Sequence, residues 1–338
     1  MTRRPQRRTS AIVAAAVVAI VAIVGGVIAW SFISRPSGAA ETVGAYLAAL
    51  ERGDGAAASA LSAQQAVDAA AVEFGALDDA TEWISAARVE TITEEGTDAT
   101  ATATFTLAAT QHSVTMTLSN RSGAWLVTDA PATTLRATST MGAGIEIGDV
   151  AVPFDDAAAG ANAAAAAGNE TETETDAEAA AQAVTVALLP GVYEVTAAPA
   201  GLLEGAREVV VTGADSLGVA LQPTLGAAAL TAADAQLATY LAACTAPATA
   251  VPLDCGIRVP WAADLASLTR LTFRIDKAPT LALAPDGSGF AATGGTLVAT
   301  AVGVDDGGGA ASFTYRDSEW ALRGSVGFTI DALTLEVW

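Results

Sequence analysis

Residues 99–108 read ATATATFTLA, and this segment decides the fold that we expect for the chain around it. Alanine and threonine alternate over six positions, after which Phe105 and Leu107 continue the phase of the alanines. A period of two places alternate side chains on opposite faces of a strand. The segment therefore predicts a β-strand with one apolar face.

Further strand patterns lie on both sides of this segment. The period-two runs are 89–93, 113–118 and 124–127, with turn-forming residues at 95–98 and 120–123. Short runs of this kind, separated by such turns, are typical of an antiparallel meander. We expect residues 39–130 to form an α+β domain, because a helical pattern precedes the strands.

The pattern at the start of this domain predicts a helix with one apolar face. Val43, Tyr46, Leu47 and Leu50 follow the i, i+3, i+4, i+7 spacing of an amphipathic helix. A second short helix is expected over residues 56–65. The two helices would pack on the meander.

Two segments of this domain resemble a known family. Residues 41–54, ETVGAYLAALERGD, resemble the first helix of bacterial exported domains with the nuclear-transport-factor-two-like cone fold. Residues 123–127, GAWLV, resemble a late strand of that family. The resemblance implies a curved sheet around a pocket. Some members are enzymes with a pocket Asp or Glu as a base, and many bacterial members are non-catalytic. No pocket residue is carried over to this chain.

Residues 134–225 are expected to form a small all-β sandwich. Ile145, Ile147, Val150 and Val152 flank Gly148-Asp149, a pattern that predicts a tight hairpin. The segments IEIGDV at 145–150 and LPGVYEV at 189–195 resemble the PEGA-type surface domain, a small β-sandwich.

An acidic insert interrupts the expected sandwich at residues 155–182. It contains no aliphatic or aromatic side chain larger than alanine. Such a segment buries too little apolar surface to offset its ordering entropy. We expect it to be a disordered loop.

Residues 226–338 are expected to form a second α+β domain with an antiparallel sheet. Leu230, Leu237, Tyr240 and Leu241 predict the apolar stripe of an opening helix. Strand patterns separated by turns then continue to the last residue of the sequence.

A long apolar segment near the first residue of the sequence predicts the cellular location and membrane topology of the protein. Residues 11–34 read AIVAAAVVAIVAIVGGVIAWSFIS, longer than the roughly 20 residues that cross a bilayer. The preceding arginines are Arg3, Arg4, Arg7 and Arg8. By the positive-inside rule they keep residues 1–10 in the cytoplasm as a short stub. The sequence predicts a transmembrane helix in the lipid bilayer of the cell membrane, with the C-terminal domains extracytoplasmic. A cleaved signal peptide is the alternative, although its apolar core is usually shorter.

Cys244 and Cys255 are the only cysteines. Disulfides form in an extracytoplasmic compartment, so we expect the pair to close a disulfide loop over 244–255. Closing this loop would contribute about 3 kcal/mol to stability. A metal site is the alternative, but the only histidine, His112, is far away in the sequence.

Composition excludes some classes of function and suggests a source. The net charge is −21, and the field of such a protein repels nucleic acid. Lys277 is the only lysine, as in GC-rich actinobacteria. The layout of a stub, one span and serial β-rich domains resembles actinobacterial single-pass envelope proteins.

No residue pattern predicts catalysis, a cofactor or a metal. His112 lies beside a strand, and no nucleophile elbow is present. The adjacent carboxylate pairs are Asp78-Asp79, Asp155-Asp156 and Asp305-Asp306. Neighbours in an extended chain point to opposite faces, so these pairs are expected in solvated turns. The sequence therefore indicates that the protein is not an enzyme.

The tryptophans leave two interpretations open. Outside the apolar segment 11–34, they are Trp83, Trp125, Trp261, Trp320 and Trp338. Core packing explains them best, and a sugar-stacking platform is the alternative. The function we expect is a membrane-anchored envelope protein that binds or scaffolds a cell-wall polymer or an envelope partner protein. A pocket for a small molecule or lipid, with or without enzymatic activity, and an accessory or sensor subunit of a membrane complex are the alternatives.

Overall fold

The computed structural model describes residues 38–63, 72–154, 182–213 and 216–338, and this part of the chain is mostly β-sheet. Strands account for 55% and helices for 17% of the structure. The described α-helices are α1 (Ala39–Glu51), α2 (Gly55–Ala60) and α3 (Ala227–Cys244). The predicted fold class, a transmembrane helix followed by two α+β domains around a β-sandwich, is therefore wrong.

The error comes from strand length and strand partners that sequence patterns do not show. Strands β17 (Gly289–Val304) and β18 (Ala310–Phe328) extend over 16 and 19 residues. They include glycines that weaken a strand when sequence alone is considered. Gly295 is needed where the two strands approach, because a Cβ there would lie 2.8 Å from the carbonyl oxygen of Trp320. Long paired strands thus replace the short strands that we expected beside helices.

Among the described residues, no helix has both the length and the apolar character needed to cross a bilayer. The transmembrane helix predicted at 11–34 lies outside the described residues, as do Arg3, Arg4, Arg7 and Arg8. Residues 155–181 of the predicted insert lie outside them as well.

Contacts divide the chain into two compact units. Of the described residues, the first comprises 38–63 and 83–131, and the second comprises 72–82 and those from 132 onward. The predicted boundaries of three extracytoplasmic modules, 39–130, 134–225 and 226–338, stay predictions.

In the first unit, α1 packs on a four-stranded antiparallel sheet in the order β2-β3-β4-β5, and α2 packs against α1. The strands of the sheet are β2 (Ser85–Glu95), β3 (Asp98–Leu107), β4 (Thr110–Arg121) and β5 (Ala124–Asp129). The short β1 (Glu82–Trp83) precedes them in the chain and is not part of this sheet. Phe105 and Leu107 are buried, and the threonines between the apolar positions of β3 are less so, which confirms the predicted alternation. The predicted stripe of α1 is also confirmed, since Val43, Tyr46, Leu47 and Leu50 are all buried.

The second unit begins with two small sheets that share one core. One five-stranded sheet contains β1, β7 (Gly144–Ile147), β8 (Val150–Pro153), β10 (Gly191–Ala198) and β12 (Arg207–Val211). The other contains β6 (Thr133–Ser139), β9 (Gln182–Leu188) and β13 (Ser216–Leu221). The short strands β11 (Leu203–Glu204) and β14 (Thr224–Leu225) pair with each other. The predicted hairpin at Gly148-Asp149 is confirmed, because it joins β7 to β8.

The same unit continues with a five-stranded antiparallel sheet on which α3 packs. Its strands are β15 (Ser267–Lys277), β16 (Thr280–Leu283), β17, β18 and β19 (Leu333–Val337), and the order β15-β17-β18-β19 leaves β16 paired with β17. Leu237 and Leu241 of α3 are buried as predicted. Leu230 is 43% exposed, so its predicted place in the stripe is wrong. The buried face instead begins with Ala229 and Ala233, at a spacing of four residues.

Candidate functional site

A disulfide loop in the second unit is fixed against the five-stranded sheet. The predicted disulfide is confirmed: Cys244, the last residue of α3, is bonded to Cys255, and their Cα atoms are 5.6 Å apart. The indole Nε1–H of the fully buried Trp320 donates a 2.8 Å hydrogen bond to the carbonyl oxygen of Cys255. Gly256 has a φ of +60°, and a Cβ at this position would collide with the carbonyl oxygen of Ala321. The loop therefore lies in direct contact with β18.

Between this loop and the outer face of β17 and β18 lies a cleft of about 620 Å³. Its lining residues are Asp254, Gly256, Arg258, Ala291, Thr293, Asp317, Glu319, Ala321, Leu322, Arg323 and Trp338. Strand alternation explains much of the lining: Ala321 and Arg323 are exposed to the cleft, whereas Trp320 is buried and does not line it. Leu322 is buried as well but still reaches the lining. Alanine side chains on the floor leave room for a ligand.

Trp338 provides an exposed aromatic surface at this cleft. Its side chain is 66% exposed, and its backbone N–H donates a 3.2 Å hydrogen bond to the carbonyl oxygen of Arg323. The guanidinium carbon of Arg323 lies 5.9 Å from the centroid of the indole ring. This distance is typical of a cation–π contact, which helps to orient the ring. The indole therefore has one supported edge and a large solvent-exposed area.

Charges of both signs line the cleft. Asp254, Asp317 and Glu319 are acidic, whereas Arg258 and Arg323 are basic. The carboxylate of Asp317 accepts a 3.0 Å hydrogen bond from the backbone N–H of Glu319, two residues further along β18. Such a lining offers both hydrogen-bond donors and acceptors to a polar ligand. In the described part of the chain, no group of three or more potential metal-ligating side chains is found.

The described residues among the catalytic candidates of the sequence do not line this cleft. His112 is on β4 of the first unit, where its ring centroid lies 5.8 Å from that of Phe105. Asp79 accepts a 2.8 Å hydrogen bond from the backbone N–H of Asp149. Asp305 accepts one of 2.9 Å from the backbone N–H of Gly309. Both carboxylates thus support turns, and Asp155-Asp156 lies outside the described residues.

Some tryptophans fit core packing and others fit a sugar-stacking platform, the two interpretations that the sequence left open. Trp320 and Trp125 are buried, as core packing predicts. Trp83 and Trp338 are exposed, at 40% and 66%, and Trp338 lines the cleft. The sequence did not indicate Asp254, Arg258 or Arg323 as partners of Trp338. The one feature of the sequence that could have indicated these three residues is that charged and apolar residues lie close together around Cys255 and Trp320.

A buried hydroxyl lies in the core of the first unit. The hydroxyl of Tyr46 is fully buried and has no hydrogen-bond partner among the described residues. Burial raises the pKa of this phenol well above its ordinary value, because the charged form loses its hydration. The hydroxyl is therefore neutral at physiological pH.

No protein-family model, curated protein or solved structure matches this chain. The resemblances to the nuclear-transport-factor-two-like and PEGA-type families therefore stay predictions.

Proposed function

We propose that this chain is a non-catalytic extracytoplasmic binding protein, and that the cleft beside Trp338 binds a carbohydrate polymer of the cell envelope. The observation that carries the proposal is the exposed indole of Trp338 beside Arg323, at the edge of a cleft with charges of both signs. A sugar ring has an apolar face of C–H groups and a rim of hydroxyls. An indole packs against the face, while carboxylates and guanidinium groups bond to the rim.

The shape of the cleft favours a polymer as the ligand. Its floor is the face of two long strands, and nearly all of its lining residues are exposed. Pockets for small molecules usually enclose most of the surface of the ligand. An open cleft can hold a short stretch of a longer chain.

The carboxylates of the cleft support binding rather than hydrolysis. Glycoside hydrolysis requires one carboxylic acid that an apolar environment keeps protonated. Asp254 and Glu319 are exposed to water, and Asp317 is only half-buried. None of the three therefore has the environment of such an acid.

The disulfide supports an extracytoplasmic location. Cysteine pairs of this kind persist in oxidising compartments and are rare in the cytosol. Here the bond joins α3 to the loop that forms one wall of the cleft. Oxidation thus contributes to the binding site itself.

Co-sedimentation with protein-free envelope polysaccharide tests this function. The full-length chain should sediment with the polymer, and Trp338→Ala should weaken binding by about tenfold or more, as expected when a stacking aromatic is lost. Trp83→Ala is the matched control, because Trp83 is also exposed but belongs to the first unit. Equal sedimentation of the Trp338→Ala variant and the wild-type chain would remove the cleft from the proposal.

A further inference from the structure

We propose that a second site, a groove between α3 and β19, binds an extended peptide that adds a strand to the edge of the five-stranded sheet. The groove has a volume of about 540 Å³. Its walls include Tyr240 and Ala243 of α3, and Leu335 and Val337 of β19. Among the described strands, β19 pairs only with β18, so its other edge faces the groove.

Gln236 shows what chemistry this edge accepts. Its side-chain Nε2 donates a 2.6 Å hydrogen bond to the carbonyl oxygen of Leu333. Its Oε1 accepts a 3.1 Å hydrogen bond from the backbone N–H of Leu335. A neighbouring antiparallel strand would make the same pair of bonds through its peptide groups. The side-chain amide of Gln236 thus makes the hydrogen bonds that a peptide strand would make at Leu333 and Leu335.

Between Leu335 and Val337, the edge again has a carbonyl and an N–H, and no described side chain like that of Gln236 bonds to them. The backbone N–H of Trp338 donates to the carbonyl oxygen of Arg323, so this amide faces β18. Amides alternate in direction along an antiparallel strand, so the N–H of Val337 faces the groove, as does the carbonyl of Leu335. These two groups are the next step of the ladder after the one that Gln236 occupies.

The walls of the groove and its surroundings define the peptide. The lining residues carry no charged side chain, which suits small and apolar residues. At one end, the hydroxyl of Tyr240 donates a 2.8 Å hydrogen bond to the carbonyl oxygen of Asp254. Burial, followed by the negative charge of Asp254, raises the pKa of Tyr240. The hydrogen bond from Tyr240 places Asp254 at this end of the groove, where its negative charge would attract a Lys or Arg of the peptide.

Other kinds of occupant do not fit these features as well. A lipid chain supplies no hydrogen-bonding groups for the edge. A glycan supplies hydroxyls, but not amides at the repeat of a β-ladder. An extended, basic peptide satisfies the edge, the apolar wall and the charge of Asp254 together.

The test uses fluorescence anisotropy of the labelled peptide acetyl-KVTVTV-amide with the full-length chain. A peptide of the same sequence, N-methylated at every internal amide, keeps the side chains but has no internal backbone N–H left to donate to the edge. We expect the first peptide to bind and the second to bind at least about tenfold more weakly, since it cannot donate to the carbonyl of Leu335 and its methyl groups crowd the edge. Equal binding of both peptides would overturn strand addition, and so would absence of binding by the first.

Two variants locate the binding. Ala243→Arg fills the groove and repels a basic peptide, so it should weaken binding at least about tenfold. Ala242→Arg is the matched control, because Ala242 is an exposed neighbour on α3 that does not line the groove. Val337→Pro removes the free N–H, on an edge where proline is tolerated, and should weaken binding about two- to tenfold.

Sedimentation of the same variants separates the peptide from a second copy of the chain. We expect the wild-type chain to keep one mass over the concentration range of the assay. A wild-type dimer that Ala243→Arg dissociates would assign the groove to a second copy and overturn the proposal. Unchanged peptide binding by Ala243→Arg and Val337→Pro would also overturn it.

Discussion

The indole Nε1–H of Trp320 donates a 2.8 Å hydrogen bond to the carbonyl oxygen of Cys255, and both residues are buried. This contact joins the centre of β18 to the disulfide. Cys244 and Cys255 in turn hold the loop to the end of α3. The wall of the cleft is thus fixed by one covalent bond and one buried hydrogen bond.

The first prediction concerns the disulfide. Replacing both Cys244 and Cys255 by serine should lower the free energy of unfolding by about 3 kcal/mol, because the unfolded chain regains loop entropy. Urea titration followed by tryptophan fluorescence measures this change. A difference below about 1 kcal/mol would show that the loop gains little from being closed.

The second prediction concerns the buried hydrogen bond. Trp320→Phe removes the donor, leaves the carbonyl of Cys255 unpaired and creates a cavity. We expect a loss of about 2–4 kcal/mol in unfolding free energy. Trp83→Phe is the control, since Trp83 is exposed and a comparable loss there would point to a nonspecific effect.

The third prediction separates a steric clash from backbone strain at two glycines. Gly256 and Gly308 both have a positive φ, of +60° and +82°. A Cβ at Gly256 would collide with the carbonyl of Ala321, whereas a Cβ at Gly308 has no neighbour within 4 Å. Gly308→Ala should therefore cost about 1–2 kcal/mol, from strain alone.

Gly256→Ala should cost at least about 2 kcal/mol more than Gly308→Ala, because the loop must also move away from β18. Thermal unfolding of both variants measures the difference. Equal losses would mean that the loop does not lie against β18 as described.

The fourth prediction concerns the buried phenol of Tyr46. Tyr46→Phe removes a hydroxyl that has no partner among the described residues, so it should raise the unfolding free energy by about 1 kcal/mol. Fluorescence of Trp125, which is buried in the same unit, reports the transition. A loss of stability would reveal a hydrogen bond of this hydroxyl.

The same residue predicts a pH dependence. The folded-state pKa of Tyr46 is raised by burial, and in the unfolded chain it is about 10. Below pH 10 the phenol is neutral in both states, and its contribution to stability is fully present. Above pH 10 only the unfolded chain loses the proton, so stability falls as the pH rises. The Tyr46→Phe variant should show a smaller loss of stability between pH 10 and 11.

Local patterns in the sequence were sufficient for several elements. Alternation in β3 and the stripe of α1 each depend on neighbours within one segment, and both are confirmed. The two cysteines left a single pairing, which is also confirmed. By contrast, Leu230 is exposed because the register of α3 on the sheet, and not its own hydrophobicity, decides which face is buried.

Pairings between distant segments were not predictable from the sequence. Strands β6 and β13 run parallel although Thr134 and its partner Ser216 are far apart in the chain. The cleft depends on the same kind of contact, because Asp254 and Arg323 meet only when the disulfide loop lies on β18. Period and propensity describe one segment at a time and carry no information about such partners.

Calorimetric titration of the full-length chain with soluble oligosaccharides from the envelope polymer tests carbohydrate binding at the cleft. We expect saturable binding to one site, weakened about tenfold or more in Trp338→Ala and unchanged in Trp83→Ala. Binding that Trp338→Ala leaves unaltered, or no heat of binding with the wild-type chain, would contradict a carbohydrate site at this cleft.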